Sequence, residues 1–284
     1  MIRLTGADGE HAVVHDLGGS GPPLLLTHGN SLNTGMWATV VPHLQNGFHC
    51  WGLDFRGHGS ARTQHDDMSV ERSHFVDEVL AATDALGGGP LLAAGHSLGA
   101  SSLVLAELAQ PGTYQGLWLY EPLLAPAGSS RPDIDHPLVQ ASRRRRIDFS
   151  TVDEAYERFV SKLPFSACEP AAVRASVELG TYSLGDGAVR LSCSGDTEGR
   201  IYVTGRPIDY TKLSTVRCPA VVARGGSLAA KRNDIPPKLA QPIAEALGNG
   251  RLKTFTELGH FGPMENGEAI AQDIRAHLEP LIAA

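Results

Sequence analysis

Short apolar runs alternate with longer amphipathic segments along most of the chain from Pro22 onward. Apolar runs bounded by glycine and proline are typical of strands buried on both faces of a sheet, and the amphipathic segments between them are typical of crossover helices. The pattern therefore predicts an α/β fold with a mostly parallel sheet. The predicted strands cover residues 22–29, 48–55, 90–97, 116–122, 218–226 and 251–258.

The segments between these runs have helical periodicity. Apolar residues recur at three- and four-residue intervals from Phe75 to Leu86 and form one stripe, which a helix would turn toward the sheet. Three glycines at 87–89 and Pro90 then mark the end of that helix and the start of a strand. Helices are predicted at residues 35–46, 69–86, 98–110, 153–163, 169–179, 236–247 and 265–282.

The alternation of strands and helices stops between residues 127 and 206, where turn residues and the basic run 143–146 appear. It resumes at Cys218. An alternation of strands and helices that stops and then resumes indicates an insertion into one sheet domain. The sequence therefore predicts a core made of residues 1–126 and 207–284, with residues 127–206 inserted within it.

The composition is that of an ordinary globular protein, with 42% hydrophobic and 19% charged residues. The formal net charge of −7 disfavours binding to phosphate polymers and anionic membranes. No apolar run approaches the roughly 18 residues that a membrane span requires, and Arg3, Asp8 and Glu10 lie where an export signal would be apolar. We therefore expect a cytoplasmic protein that binds neither nucleic acid nor membrane.

Cysteine spacing bears on metal binding and redox chemistry. Cys50, Cys168, Cys193 and Cys218 are far apart and form no C-x-x-C pair. Zinc knuckles and dense disulfide frameworks both need closer spacing. We expect no metal site. The sequence leaves the oligomeric state open, homo-oligomers included.

The strongest chemical signal is the pentapeptide Gly95-His96-Ser97-Leu98-Gly99, which lies where an apolar strand passes into a helix. It matches G-x-S-x-G, the nucleophile elbow, in which glycines relieve crowding around a serine on a strained turn. Serine is a poor nucleophile at neutral pH, so a neighbouring imidazole must accept its proton. Ser97 is therefore the predicted nucleophile.

Three further motifs accompany the elbow. His28-Gly29-Asn30 follows the first predicted parallel strand, residues 54–60 read DFRGHGS, and residues 259–265 read GHFGPME. Together with the elbow, and in this order, they resemble the motifs of the α/β-hydrolase superfamily, over nearly the whole chain outside the insertion. The resemblance implies an α/β-hydrolase fold with a mostly parallel central sheet flanked by helices. It also implies that the insertion is a helical cap over the catalytic face.

The resemblance implies roles for individual residues as well. His260, in the last motif, would accept the proton of Ser97. The backbone N–H groups of Leu98 and Asn30 would form the oxyanion hole. The side chain of Asn30 could also reach the site, and the sequence leaves both roles open.

The acid that orients the histidine departs from the commonest pattern of the superfamily. It usually follows the strand at 219–224, but here no carboxylate appears until Asp234. Glu121, at the end of the preceding strand, is the predicted acid, and Asp234 is the alternative. Haloalkane dehalogenases with a post-strand glutamate and zearalenone-type lactonases are similar in placing their acid there.

This set of groups indicates a hydrolase that cleaves a carboxylic ester or lactone through an acyl-enzyme on Ser97, without a cofactor. Haloalkane dehalogenases and epoxide hydrolases of this fold use an aspartate nucleophile, so both activities are disfavoured. Two alternatives stay open. One is hydrolysis of a carbon–carbon bond in a diketone-like substrate, and the other is a ligand-binding, receptor-like protein with weak catalysis.

The inserted segment bears on the substrate. Its apolar and aromatic side chains predict a small, fairly apolar substrate, although packing alone also explains each of them. The basic run Arg143 to Arg146 either binds an anionic group or forms a solvated helix face. The side chains in question are Phe149, Tyr156, Phe159, Phe165, Tyr182, Leu184 and Tyr202.

Overall fold

The computed structural model describes residues 1–63, 67–226 and 235–282. The strands are β1 (Ile2–Thr5), β2 (His11–Gly19), β3 (Pro23–Thr27), β4 (His49–Asp54), β5 (Leu91–His96), β6 (Tyr114–Tyr120), β7 (Asp148–Phe149), β8 (Thr181–Gly185), β9 (Ala188–Leu191), β10 (Ala220–Gly225) and β11 (Gly250–Phe255). The helices are α1 (Arg72–Ala85), α2 (Leu98–Ala109), α3 (Pro137–Arg143), α4 (Val152–Val160), α5 (Pro170–Leu179), α6 (Gly195–Thr204), α7 (Ile235–Ala246), α8 (Gly262–Glu265) and α9 (Gly267–Ile282). Within the described ranges, no helix combines the length and the apolar character needed to cross a membrane.

Eight strands form the central sheet in the order β1-β2-β4-β3-β5-β6-β10-β11. The pairs from β4 to β11 are parallel, and only the pairs of β2 with β1 and with β4 are antiparallel. All residues of β5 are buried, as expected for a strand covered by helices on both faces. The predicted α/β-hydrolase fold class, with a mostly parallel sheet flanked by helices, is confirmed.

One apolar core lies on each face of the sheet. On one face, Phe75 of α1, Leu103 of α2 and Ile243 of α7 are part of the same buried cluster. On the other face, Trp37 packs in a cluster with Ile274 of α9. The stripe predicted to turn α1 toward the sheet is thus buried there.

The predicted strands of the sheet all appear within a few residues of their expected ends, but one hairpin was missed and one predicted helix is wrong. The hairpin of β1 and β2 was not predicted. The helix predicted at 35–46 is wrong, since the chain forms two short 3-10 turns, Thr34–Trp37 and Val41–His43. Pro42 lacks a backbone N–H and so cannot continue an α-helix hydrogen-bond ladder. The buried apolar residues Met36, Trp37, Val40, Val41 and Leu44 do follow helical spacing, so the pattern alone predicted a helix there.

The segment 127–206 contains α3 to α6 and a small antiparallel sheet in the order β7-β9-β8. The two helices predicted in this segment are present as α4 and α5. The small strands, α3 and α6 were not predicted. These strands are two to five residues long and partly exposed, so their sequence carries little hydrophobic alternation.

The chain enters and leaves this segment at one place. Pro126 and Ile208 form an isolated parallel bridge. The Ala127 N–H donates to the Ile208 carbonyl, and the Ile208 N–H donates to the Ala125 carbonyl, each at 2.8 Å. The division into a core of 1–126 and 207–284 and a cap of 127–206 stays a prediction, and these paired ends support it.

Helix α5 of the segment packs closely against the loop that follows β3. The Asn33 side chain donates to the Ser176 carbonyl at 2.8 Å. A Cβ added at Gly35 would lie 2.5 Å from the Ala175 backbone oxygen, so the two backbones touch. The start of α5 is also fixed, because the Glu169 carboxylate accepts from the Gly267 N–H at 2.6 Å.

We predict that Gly35→Ala lowers the free energy of unfolding by about 1–3 kcal/mol, because the added methyl overpacks this contact. Thermal or urea denaturation measures the change. Gly205→Ala is the control, since its nearest contact is the flexible end of Arg72 at 3.2 Å. Equal stability of the Gly35 and Gly205 variants would contradict the close packing of α5 on the core.

Candidate active site

Ser97 lies on a strained turn between β5 and α2. Its backbone has φ 53 and ψ −109, outside the regions that non-glycine residues normally adopt. The turn is held on both sides, since the Ser97 N–H donates to the Tyr120 carbonyl at 2.9 Å and the Ser101 hydroxyl donates to the Ser97 carbonyl at 2.9 Å. Gly99 is required as well, because a Cβ there would lie 2.5 Å from Thr27 Oγ1. This is the geometry expected of a nucleophile elbow.

His260 and Glu121 form a direct pair. His260 Nδ1 lies 2.6 Å from Glu121 Oε2, and the Glu121 side chain is fully buried. The other carboxylate oxygen accepts from the Gly225 N–H at 2.8 Å. Because an ionised carboxylate only accepts hydrogen bonds, the proton of the imidazole lies on Nδ1 and leaves Nε2 as a base.

The loop that carries His260 is held from three sides. The Tyr120 hydroxyl donates to the Gly259 carbonyl at 2.7 Å, and the Gly259 N–H donates to Glu265 at 2.7 Å. His96 Nε2 donates to the His260 carbonyl at 2.8 Å. Sequence reasoning did not predict the supporting roles of Tyr120 and Glu265. The available signals were the position of Tyr120 beside Glu121 and that of Glu265 inside the GHFGPME motif.

His96, the residue before Ser97, contacts His260. The rings of His96 and His260 pack with centroids 4.7 Å apart, which places His260 against the elbow. Burial and the nearby His260 hold the pKa of His96 well below its usual value, so His96 is a neutral donor. Within the described part of the chain, no hydrogen bond joins the Ser97 hydroxyl to His260, and such bonds commonly tighten when substrate binds.

Glu121 has an unusual backbone too, with φ 47. It follows β6 directly, as Ser97 follows β5, and these two strands are parallel neighbours. Two non-glycine residues with positive φ at adjacent strand ends are costly, by about 1–3 kcal/mol each. The strain is therefore concentrated at the carboxyl edge of the sheet, where the nucleophile and the carboxylate lie.

Backbone N–H groups of two loops are free near the elbow. Leu98 is the first residue of α2, so its N–H has no partner within the helix. In the parts of the chain that the structure describes, neither the Leu98 nor the Asn30 N–H donates a hydrogen bond. The Gly99 N–H donates to the His28 carbonyl at 3.0 Å and fixes one loop to the other. Both expected oxyanion donors are thus available to a substrate.

The side chain of Asn30 contacts the cap segment. Its amide Nδ2 donates to the Glu198 carbonyl of α6 at 3.1 Å. The sequence left a backbone role and a side-chain role open for Asn30. The side chain connects the loop after β3 to α6, and the backbone N–H remains free.

The other polar residues of the motifs have structural partners. Asp54 is fully buried and accepts from the N–H groups of Thr34 at 2.7 Å and Ser60 at 2.8 Å, in addition to His15 at 2.9 Å. Burial lowers the pKa of His28 to about 3. The neutral His28 ring accepts from the Phe55 N–H at 3.1 Å. These groups shape the loops and are not free for catalysis.

Asp234, the alternative acid, lies outside the described residues. Within the described ranges, no group of three or more His, Cys, Asp or Glu side chains converges to hold a metal ion.

The arginine run divides into different environments. Arg143, Arg145 and Arg146 pair with Asp196, Glu198 and Glu154 at 3.0, 2.8 and 2.7 Å, respectively. Arg144 is exposed. A cavity between α4, α5 and the loop after β3 is lined by Arg145 together with Phe159 and Phe165.

Among the side chains proposed to line a substrate pocket, Phe149 is buried in the core and Leu184 is exposed.

Comparison with known proteins agrees with the fold. A sequence model of the group described as "Alpha/beta hydrolase family" matches residues 24–273. The chain belongs to this family. The match covers the elbow, Glu121, His260 and the segment between them.

Three known proteins are similar to this chain of the alpha/beta hydrolase family. The chain is 22% identical over 264 residues, 92% of each protein, to (E)-2-((N-methylformamido)methylene)succinate hydrolase of Acinetobacter baylyi. It is 33% identical over 101 residues, 36% of this chain and 37% of the relative, to pimeloyl-[acyl-carrier protein] methyl ester esterase of Nitrosomonas europaea. The crystal structure of E-2-(acetamidomethylene)succinate hydrolase superposes with a TM-score of 0.74 at 20% identity and covers 98% of both chains.

We predict that Glu121→Gln lowers kcat for an activated ester by about 10²–10⁴-fold. An amide can present either an acceptor or a donor to His260, so it no longer selects the Nδ1–H tautomer. Steady-state kinetics measure the change. Glu257→Gln is the matched control, because Glu257 is exposed and lies three residues before His260. A Glu121 variant within threefold of the wild type would rule Glu121 out as the orienting acid.

Proposed function

We propose that the chain is a serine hydrolase that cleaves a small-molecule carboxylic ester or lactone through an acyl-enzyme on Ser97. The observation that carries the proposal is the 2.6 Å contact between His260 Nδ1 and the fully buried Glu121. A buried carboxylate that fixes one tautomer of a histidine beside a strained serine is the arrangement that acyl-transfer hydrolases use.

Each step of the reaction has a group to perform it. Nε2 of His260 takes the hydroxyl proton as Ser97 Oγ attacks the carbonyl carbon. The resulting oxyanion accepts from the Leu98 and Asn30 N–H groups. The protonated His260 then donates to the leaving alkoxide, which departs as an alcohol. Water, deprotonated by the same Nε2, hydrolyses the acyl-serine and releases the acid.

Glu121 also bears on the receptor-like alternative. That alternative drew its support from the missing acid after Gly225 and Gly226. The carboxylate of Glu121 reaches the same place from β6 and accepts from Gly225 itself. A retained acid and histidine pair is expected of a working catalyst, so the hydrolase is favoured over a protein that only binds ligands.

The names of the relatives support two kinds of scissile bond. The methyl ester esterase supports ester cleavage. The hydrolase of a formamido-substituted methylenesuccinate, which matches over most of its length, supports a second candidate, hydrolysis of an activated bond other than an ester. Carbon–carbon bond hydrolysis of a diketone-like substrate falls in this second group, since the same serine, histidine and oxyanion donors serve it.

We predict that a fluorophosphonate probe labels Ser97 and that Ser97→Ala abolishes both labelling and turnover, because the hydroxyl is the attacking group. Mass spectrometry of the labelled peptide identifies the modified residue. Ser130→Ala is the control, since Ser130 is exposed in the loop before α3. It should be labelled and turn over substrate as the wild type does.

A panel of esters, lactones, acylated enamines and diketones distinguishes the two candidates. Turnover of esters or lactones with a higher kcat/KM than the other compounds supports the proposal. A preference for the non-ester compounds, lost in Ser97→Ala, supports the second candidate. A wild type that resists the probe and turns over none of the panel would overturn both.

A further inference from the structure

A small cavity lies between the cap segment and the loop that follows β3. Its volume is about 40 Å³. One buried water needs about 10–15 Å³ of cavity volume measured in the same way, so this cavity has room for about three water-sized groups. Most of its wall is apolar, from Leu32, Phe159, Phe165, Val173, Val177 and Leu191. Among the described residues that line the cavity, Arg145 is the only charged one.

Only some of the N–H donors of the Arg145 guanidinium have a partner among the described residues. The guanidinium carries five N–H donors. One nitrogen pairs with Glu198 at 2.8 Å and another donates to the Cys193 carbonyl at 3.0 Å. Nε is buried and has no hydrogen-bond partner among the described residues. A buried donor without a partner is costly, so a ligand that supplies an acceptor here gains a strong, charge-assisted bond.

Glu198 pairs with this arginine at the edge of the cavity but leaves its Nε–H without an acceptor. The carboxylate is largely buried and is not part of the cavity lining. Its pairing offsets the desolvation of the guanidinium, which would otherwise be severe for an isolated buried charge. Arg145 is therefore a stable cation facing an otherwise apolar wall.

The cavity adjoins the reacting groups on two sides. Ser31, in its lining, directly follows Asn30, whose N–H is a proposed oxyanion donor. Phe165, also in the lining, packs edge-on against Phe261, the residue after His260, with ring centroids 5.3 Å apart. The cavity thus adjoins the loops that carry Asn30 and His260.

Arg145 lies on the oxyanion side of this arrangement. Its partner Glu198 receives the side-chain hydrogen bond of Asn30 through the backbone carbonyl. The carbonyl oxygen of a substrate belongs to the acyl part and points toward the Asn30 N–H, whereas the leaving group must face His260. The cavity therefore fits the acyl part of the substrate.

We propose that Arg145 binds a carboxylate at the end of a short acyl chain, so that the preferred substrate is the half ester or other monoacyl derivative of a small dicarboxylic acid. This inference rests on the proposed acyl-transfer function. It revises the expectation of a fairly apolar substrate, because the apolar wall covers only the few methylene groups between the two carbonyl carbons. Long fatty acyl chains exceed the cavity.

The test compares two methyl esters. One is monomethyl succinate, and the other is a neutral ester of the same shape in which an isopropyl group replaces the carboxylate. Methanol release gives kcat/KM for each with the wild type, Arg145→Gln and the double variant Arg145→Gln with Glu198→Gln. Arg144→Gln is the matched control, because it removes the same charge from the exposed neighbour. The double variant leaves no unpaired buried carboxylate, so it keeps the test open if the single variant fails to fold.

We expect the wild type to favour the charged ester. Loss of Arg145 should lower kcat/KM for that ester about 10- to 100-fold, the range for a hydrogen bond to a charged group, and change the neutral ester less than threefold. Arg144→Gln should match the wild type with both. Equal losses for both esters in a folded Arg145 variant, or a wild-type preference for the neutral ester, would overturn the carboxylate site.

Failure of the proposed function gives a different result. In that case Ser97→Ala would retain turnover of whichever ester the wild type accepts. Binding is then measured directly by calorimetry, with monomethyl succinate and the Ser97→Ala protein. Binding that disappears in Ser97→Ala with Arg145→Gln supports the carboxylate site whatever the chemistry, and binding that persists there contradicts it.

Discussion

The hydrogen bond between Glu121 and His260 is the interaction on which the rest of the site depends. The carboxylate is fully buried, and each of its oxygens has a partner, His260 on one side and the Gly225 N–H on the other. A buried carboxylate is tolerated only when it is paired in this way. The pair also decides which nitrogen of His260 is a base, and it thereby links the sheet to the chemistry proposed for Ser97.

The position of the acid follows from the order of the strands. β6 and β10 are parallel neighbours, with Tyr120 in register with Ala223. A carboxylate after either strand therefore lies at the same edge of the sheet, close to the loop after β11. The cost of using β6 is the positive φ of Glu121, which the bonds of Glu121 to His260 and Gly225 offset.

The sheet and the Ser97 turn were predictable because their signals are local. A buried parallel strand needs a continuous apolar run, and an elbow needs glycines around its serine. The cap segment was less predictable, since its short strands are partly exposed and α6 is held by tertiary contacts such as that of Asn30 with the Glu198 carbonyl. The role of Arg145 was also hidden. Four adjacent arginines look alike in sequence, and only their neighbours in space distinguish Arg145, in its partly buried pair with Glu198, from the exposed Arg144.

Nuclear magnetic resonance of the protein with isotope-labelled histidine tests the central claim most directly. In the absence of substrate, the neutral ring of His260 should be the Nδ1–H tautomer, with its proton far downfield because it is bonded to a carboxylate. That resonance should be lost in Glu121→Gln and kept in Glu257→Gln. A His260 ring that carries its proton on Nε2, or a downfield proton that persists in Glu121→Gln, would contradict the account.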